Sequence, residues 1–165
     1  MRVIGIDPGI ALTGYALVES FSNNFKRVDS GCIKTDKDLL PAIRLKIIYE
    51  QLQNIVHDYK PQVFAVEKLF FCKNVATALQ VGEARGVVVL TAALANLEVF
   101  EYTPLQVKQS VAGYGKADKE QVQKMVKLLL GMSNQRLIDD ESDALAVAIC
   151  HLQNKSWQNA LKGGK

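Results

Sequence analysis

The sequence predicts an α/β fold, a mixed β-sheet of three antiparallel strands followed by parallel strands and covered by helices. Two observations carry that reading. Short β-prone runs punctuated by turn residues occupy the first 35 positions, and beyond them segments of helical period alternate with short apolar strands. The chain has 165 residues, 48% of them apolar, which suits a single domain with a single buried core. A chain of this size hides roughly 70% of its unfolded surface, so it needs no disulfide or structural metal to hold it.

The elements follow in order. Arg2 to Asp7 and Tyr15 to Glu19 flank DPGIALTG, whose Pro8, Gly9 and Gly14 supply turn geometry, so they form a hairpin. Phe25 to Thr35 alternates in the same way after the Asn23-Asn24 turn signal and extends the hairpin to a meander. From Leu39 to Tyr59 the period changes: Leu45, Ile48, Leu52, Ile55 and Tyr59 recur at helical steps, with Pro41 suited to the first turn. QVFAVE is a short buried strand ending at Glu67. Val75 to Leu97 is a second helix, with the small residues Ala78, Gly82 and Gly86 every four positions. That stripe suits close packing either on the protein's own sheet or on a second copy of the chain. Glu98 to Tyr102 is a fifth strand. Thr103-Pro104 opens a helix through Val111, Asp118 and Gln121 form a capping pair for a helix to Leu130 stopped by Gly131, and a last helix runs from near Asp140 through Asn154. Residues 1–154 are thus expected to be one domain and 155–165 a frayed tail.

The net charge of +3 is too small to name a partner. Its distribution says more, because six basic residues against two acidic lie between Pro104 and Arg136, while positions 137–143 hold four carboxylates. Cys32, Cys72 and Cys150 lack metal-ligand spacing and read as reduced thiols of a cytoplasmic protein. The longest apolar run, Gly86 to Ala95, is about half of a bilayer span, and Asp7 argues against a signal peptide.

Four carboxylates stand where chemistry is expected. Asp7 and Glu67 each close an apolar strand, and ligands of open sheets bind at the carboxyl ends of strands. If strands one and four are neighbours, these two acids converge. Asp140 and Asp143 are three apart at a helix start and share a face. Converged carboxylates repel by about 4 kcal/mol per pair at about 4 Å and an effective dielectric of about 20, so such a site requires cations. Oxygen ligands alone suit Mg²⁺ or Mn²⁺, and four charges balance two ions. Two divalent ions suit phosphoryl displacement.

The segments GIDPGIALTGYAL, SGCIKT, AVEKLFFCKNVATALQVGEARGV, FEYTPLQVKQSVAGYGKADKEQV and DDESDALAVAICH resemble, in order and over residues 1–153, the signatures of the RuvC Holliday-junction resolvase family. The resemblance implies an RNase H-like fold, a homodimer, and Mg²⁺-dependent nicking of two opposed strands of a four-way DNA junction in recombination and repair. It assigns catalysis and metal binding to Asp7, Glu67, Asp140 and Asp143, with Asp139 and Glu141 as neighbours able to share the role of Asp140. It also assigns DNA contacts to Phe70, with Phe71 as its competitor, and to Lys108 and Lys119. RuvA and RuvB are the implied branch-migration partners. Family members often carry glycine where this chain has Ala16.

Other readings are weaker. IDPGIALTG also resembles the phosphate loop of actin-like ATPases, but no second Asp-x-Gly follows. An RNase acting on RNA leaves the Phe70 loop without a use, and a non-catalytic DNA-binding module leaves the four acids without one. His57 and His151 are expected to be structural.

Overall fold

The computed structural model describes residues 1–22, 24–68, 75–132 and 135–163, with residues 75, 76 and 156–163 by backbone alone. Five strands, β1 (Arg2–Asp7), β2 (Leu12–Phe21), β3 (Asn24–Lys34), β4 (Val63–Glu67) and β5 (Glu98–Tyr102), form one sheet in the order β3-β2-β1-β4-β5. The first three are antiparallel, while β4 and β5 run parallel to β1. The expected mixed sheet is therefore observed, and β1 and β4 are neighbours. The helices are α1 (Pro41–Tyr59), α2 (Val75–Leu94), α3 (Pro104–Ala112), α4 (Lys119–Leu129) and α5 (Asp139–Gly163).

Strand alternation divides the core into two layers. Ile4, Ile6, Leu17, Phe64 and Val66 pack with Ile48 and Leu52 of α1 and with Ala84, Val88 and Ala92 of α2. Val3, Ala16, Val18, Val63 and Ala65 pack on the opposite face with α3, α4 and the run Ala144 to Cys150 of α5. The same period assigns Asp7 to the face of Val3 and Gly5, and Glu67 to the face of Val63 and Ala65. Both acids thus belong to the α5 side.

Two glycines let α5 lie directly on the sheet. A Cβ at Gly5 would overlap the Ala144 carbonyl oxygen and the Ala148 backbone, and one at Gly14 would overlap the Asp140 carbonyl oxygen. Gly14 is the cross-strand partner of Asp7, so this close approach brings the amino end of α5 beside the end of β1.

The expected caps are present. Thr103 and Gln106 form a capping box on α3, Asp118 and Gln121 form one on α4, and Pro41 opens α1. Some boundaries differ from the sequence reading. β2 begins at Leu12 rather than Tyr15 because Leu12 and Thr13 pair with Lys34 and Ile33. α2 stops at Leu94 rather than Leu97, because Asn96 adopts a left-handed conformation (φ 55°) that ends the helix. The helical backbone of α5 continues to Gly163, past Asn154.

The Thr77–Leu94 stretch of α2, with mean hydropathy 1.2, is long and apolar enough to cross a membrane by length and composition. The unbroken run in the sequence is shorter only because Glu83 and Arg85 interrupt it. Here one side of the helix packs on the sheet through Ala84, Val88 and Ala92. Gly82 and Gly86 lie elsewhere on the helix, with no atom of the described residues within 4 Å of a Cβ built on either. The small-residue stripe therefore does not serve packing on the protein's own sheet.

Candidate active site

Three elements deliver the four acids to one place. β1 and β4 end side by side in Asp7 and Glu67, and the first turns of α5 carry Asp140 and Asp143 over them. The electrostatics record how near they are. The Asp7 carboxyl is pushed up from 3.8 to about 8, first by burial and then by the charges of Glu67, Asp143 and Asp140. Glu67 is also raised, by burial and by Asp143, while a hydrogen bond with Asp7 and the charges of Lys119 and Lys108 pull the other way. Burial raises Asp143 as well, against the opposing pull of Lys119.

Two lysines come from the neighbouring helices. α3 carries Lys108 and the first turn of α4 carries Lys119. Lys119 Nζ lies 3.2 Å from Asp143 Oδ2 and 3.4 Å from Asp139 Oδ2. Burial lowers the Lys119 ammonium, but Asp143 and Asp139 outweigh it and the net shift is upward. Glu67, Asp143, Lys108 and Lys119 together rim a cleft of about 200 Å³ whose apolar lining includes Val107 and Val122.

The acids converge without forming a closed ligand shell. Among the described residues, no three acidic, histidine or cysteine side chains are grouped closely enough to hold one ion. Asp7 and Glu67 share a hydrogen bond, while Asp143 faces Lys119. The donor chemistry still fits hard cations: carboxylate oxygens predominate, and their mutual repulsion, visible in the upward shift of Asp7, is what divalent charge relieves.

A family model described as crossover junction endodeoxyribonuclease RuvC matches residues 3–151. The chain belongs to the RuvC family. Similar relatives include the crossover junction endodeoxyribonuclease RuvC of Caldicellulosiruptor saccharolyticus, 55% identical with 94% of this chain and 95% of the relative covered, and that of Pelotomaculum thermopropionicum, 53% identical with 98% and 99% covered. Among solved structures, Thermus thermophilus RuvC in complex with a Holliday junction substrate is similar with a TM-score of 0.91, at 33% identity over 96% of each chain. The yeast mitochondrial Holliday junction resolvase, at 16% identity and a TM-score of 0.67 over 98% of this chain and 85% of that one, shares the fold. The α/β, RNase H-like architecture expected from the sequence is that of RuvC.

The structure sorts the other expected residues. Asp139 is exposed and, like Asp143, contacts Lys119, whereas Glu141 is buried and bonded to Ser30 Oγ (2.6 Å). Phe70, Phe71 and Cys72 lie outside the described residues. His57 is exposed beside Asp58. His151 is buried, 2% exposed, and its Nδ1 shares a 2.9 Å hydrogen bond with the Tyr102 hydroxyl. Sequence reasoning missed Ser30 and Arg27, although Ser30 begins the SGCIKT segment that carries part of the family resemblance.

Proposed function

We propose that this RuvC family nuclease resolves four-way DNA junctions by symmetric nicks in two opposed strands, using Mg²⁺ held by Asp7, Glu67, Asp140 and Asp143. The observation that carries this reading is the convergence of four acids from β1, β4 and α5, two of which, Glu67 and Asp143, line a cleft with Lys108 and Lys119. Two ions per site, Mg²⁺ or Mn²⁺, would make a bound water acidic enough to lose a proton and attack phosphorus as hydroxide, and would neutralise charge on the departing oxygen. The carboxylates fix where that charge sits. Lys108 and Lys119 hold the phosphodiester against them, and the Asp143 pairing keeps Lys119 at the cleft in the absence of DNA. Phe70, three residues after Glu67, is proposed to stack on a base that has left the duplex at the crossover; such stacking contributes roughly 1–3 kcal/mol per base.

Two opposed nicks need two active sites, and the exposed face of α2 supports a homodimer. Leu79, Leu90 and Leu94 are 65%, 53% and 61% exposed there, and the open space at Gly82 and Gly86 allows a second backbone to approach. We further place the nuclease domain at residues 1–154, the enzyme in the cytoplasm, and RuvA and RuvB as its branch-migration partners, as the family relationship suggests.

The test is incubation with a synthetic four-way junction, a matched duplex and an RNA/DNA hybrid, each with Mg²⁺ and with EDTA. Paired nicks in the junction alone, and only with Mg²⁺, are expected. Equal cleavage of the duplex or the hybrid would overturn junction selectivity, and cleavage in EDTA would overturn the metal assignment.

A further inference from the structure

Glu141 stands between two proposed metal ligands and is not one of them. Its carboxylate is 8% exposed and points to β3, where Ser30 Oγ donates to Oε1 at 2.6 Å. Arg27 Nη2 lies 3.5 Å from the same oxygen, and Arg27 Nη1 donates to Gln135 Oε1 at 2.8 Å. Arg27 therefore holds both the approach to α5 and its first turn, while Ser30 holds the turn again from the same strand.

This arrangement depends on an irregularity in the sheet. Arg27 and Ser30 are three positions apart, and in a regular strand of period two they would face opposite sides. β3 has a bulge: Leu17 pairs with Asp29 but Val18 pairs with Arg27, which leaves Val28 without a partner. Beyond the bulge the alternation is reset, so Arg27 shares the α5 face with Ser30, which pairs with Ala16. Bulges of this kind re-aim side chains beside functional sites. Here the re-aimed cation meets the carboxylate next to Asp140.

We propose that Ser30, Arg27 and Glu141 form a latch that holds the first turn of α5 over the strand ends, so that Asp140 and Asp143 stay beside Asp7 and Glu67, where divalent cations can draw the four acids together. The inference rests on the metal reading above and adds positioning residues to it. Glu141 neither binds substrate nor ligates metal; it acts through its neighbours. Gly5 and Gly14 allow α5 to approach the sheet, and the latch determines where along and around its axis the helix stops. Carboxylates on an unlatched first turn keep their identity but lose their geometry, and partners that orient metal ligands change metal affinity or activity by about 10- to 100-fold when removed.

The experiment compares wild type with Glu141→Ala, Ser30→Ala, Glu141→Gln and Asp143→Asn. Mn²⁺ binding is followed by calorimetry, amide hydrogen exchange across 139–144 in EDTA, and junction binding separately from nicking. Glu141→Ala is expected to weaken Mn²⁺ binding and slow nicking about 10- to 100-fold, with faster exchange in the first turn of α5 and unchanged junction affinity. Ser30→Ala, which removes one hydroxyl and leaves the Arg27 contact, should move the same readouts less. Glu141→Gln, which keeps an acceptor for Ser30 Oγ, should recover part of the loss relative to Glu141→Ala. If Glu141→Ala does not fold, Ser30→Ala and Glu141→Gln decide the matter. Loss of Mn²⁺ binding in Asp143→Asn, together with wild-type Mn²⁺ binding and exchange in the latch variants, overturns the latch alone. Wild-type Mn²⁺ binding in Asp143→Asn overturns the metal reading and the latch with it.

Discussion

The two faces of the sheet are built to different standards. On the α1 and α2 face, the buried strand residues Ile4, Ile6, Leu17, Phe64 and Val66 are aliphatic or aromatic, and the buried polar groups of its helices are satisfied singly, Arg44 by Thr35 and Thr91 by the Val87 carbonyl. On the α5 face the strands carry Val3, Gly5 and Asp7, then Val63, Ala65 and Glu67, and α5 adds Glu141, Ser142 and His151 as buried polar residues. One face is ordinary core. The other gives up side-chain volume at its glycines and accepts buried charge so that a helix can bring acids to the strand ends. The electrostatic cost of the site is confined to the face that performs the chemistry, and the opposite face supplies stability without such constraints.

The sharpest break in that comparison is to remove an acid. Asp7→Asn and Asp143→Asn are expected to abolish nicking while leaving junction binding nearly intact, as gel shift and cleavage assays on the same junction will show. In EDTA, Asp7→Asn should also melt higher than wild type, because it deletes a carboxylate that burial and three other acids oppose. A stability gain with loss of activity is the behaviour of a functional residue rather than a structural one. Binding that falls in proportion to cleavage would contradict this.

A second break tests the glycines against the aliphatic residues beside them. Gly5→Val sets two branched carbons against the backbone of Ala144 and Ala148, which cannot yield like a flexible side chain. It should cost more than the roughly 1–3 kcal/mol typical of overpacking. Ile6→Val, one position along on the other face, should cost about 0.5–1.5 kcal/mol. Urea titrations of the two variants make the comparison directly, and equal costs would mean that α5 does not need its close approach.

The same contrast explains what was legible in the sequence. The alternation of β1 and β4, the helical period of α1, the Thr103-Pro104 helix start and the capping pair Asp118–Gln121 are local patterns, and each element appeared where its pattern placed it. The convergence of Asp7 with Glu67 depended on strands one and four being neighbours, which the order of elements suggests but does not fix. The role of Glu141 was not legible, because its partner Arg27 reaches the α5 face only through a bulge. A one-residue reset of strand register leaves no mark in periodicity. Nor does an acid beside two others reveal which one turns away.

His151 provides a pH-dependent test of the buried polar side. Burial lowers its imidazole from 6.5 to about 4, with Lys155 adding to the effect, while Tyr102 and Phe100 pack against the ring. Between those values the unfolded chain binds the proton and the folded chain does not. The contribution to stability is therefore complete above about pH 6.5 and is lost as pH falls toward 4. It amounts to about 3 kcal/mol at about 1.4 kcal/mol per unit. His151→Asn, which keeps an acceptor near the Tyr102 hydroxyl, should flatten that part of the wild-type curve of melting temperature against pH. An unaltered slope would assign the effect to other groups.

Smaller effects are expected at the rim. Lys108→Ala and Lys119→Ala should each lower the slope of log affinity against log salt for junction binding by about one, as loss of one phosphate contact requires. Both variants should bind junctions of different sequence with the same proportional loss. A slope unchanged by either substitution would separate that lysine from DNA.

The smallest effect is predicted for Asp139, and it separates the acid at the rim from those at the centre. Asp139 lies one residue from Asp140, but its side chain is exposed and contacts Lys119 at 3.4 Å, while Asp143 holds the same ammonium at 3.2 Å. An exposed pair of this kind contributes about 0–1 kcal/mol, and the remaining partner keeps Lys119 at the cleft. Asp139→Asn should therefore nick junctions within a few-fold of the wild-type rate, whereas Asp140→Asn, one position along the helix, should be inactive. Because the substitution removes one negative charge near the path proposed for DNA, it should tighten junction binding slightly at low salt, an advantage that screening removes as salt rises. Inactivity of Asp139→Asn with retained activity of Asp140→Asn would show that the two acids exchange roles when metal and DNA are bound, and would move the proposed ligand one residue toward the start of α5.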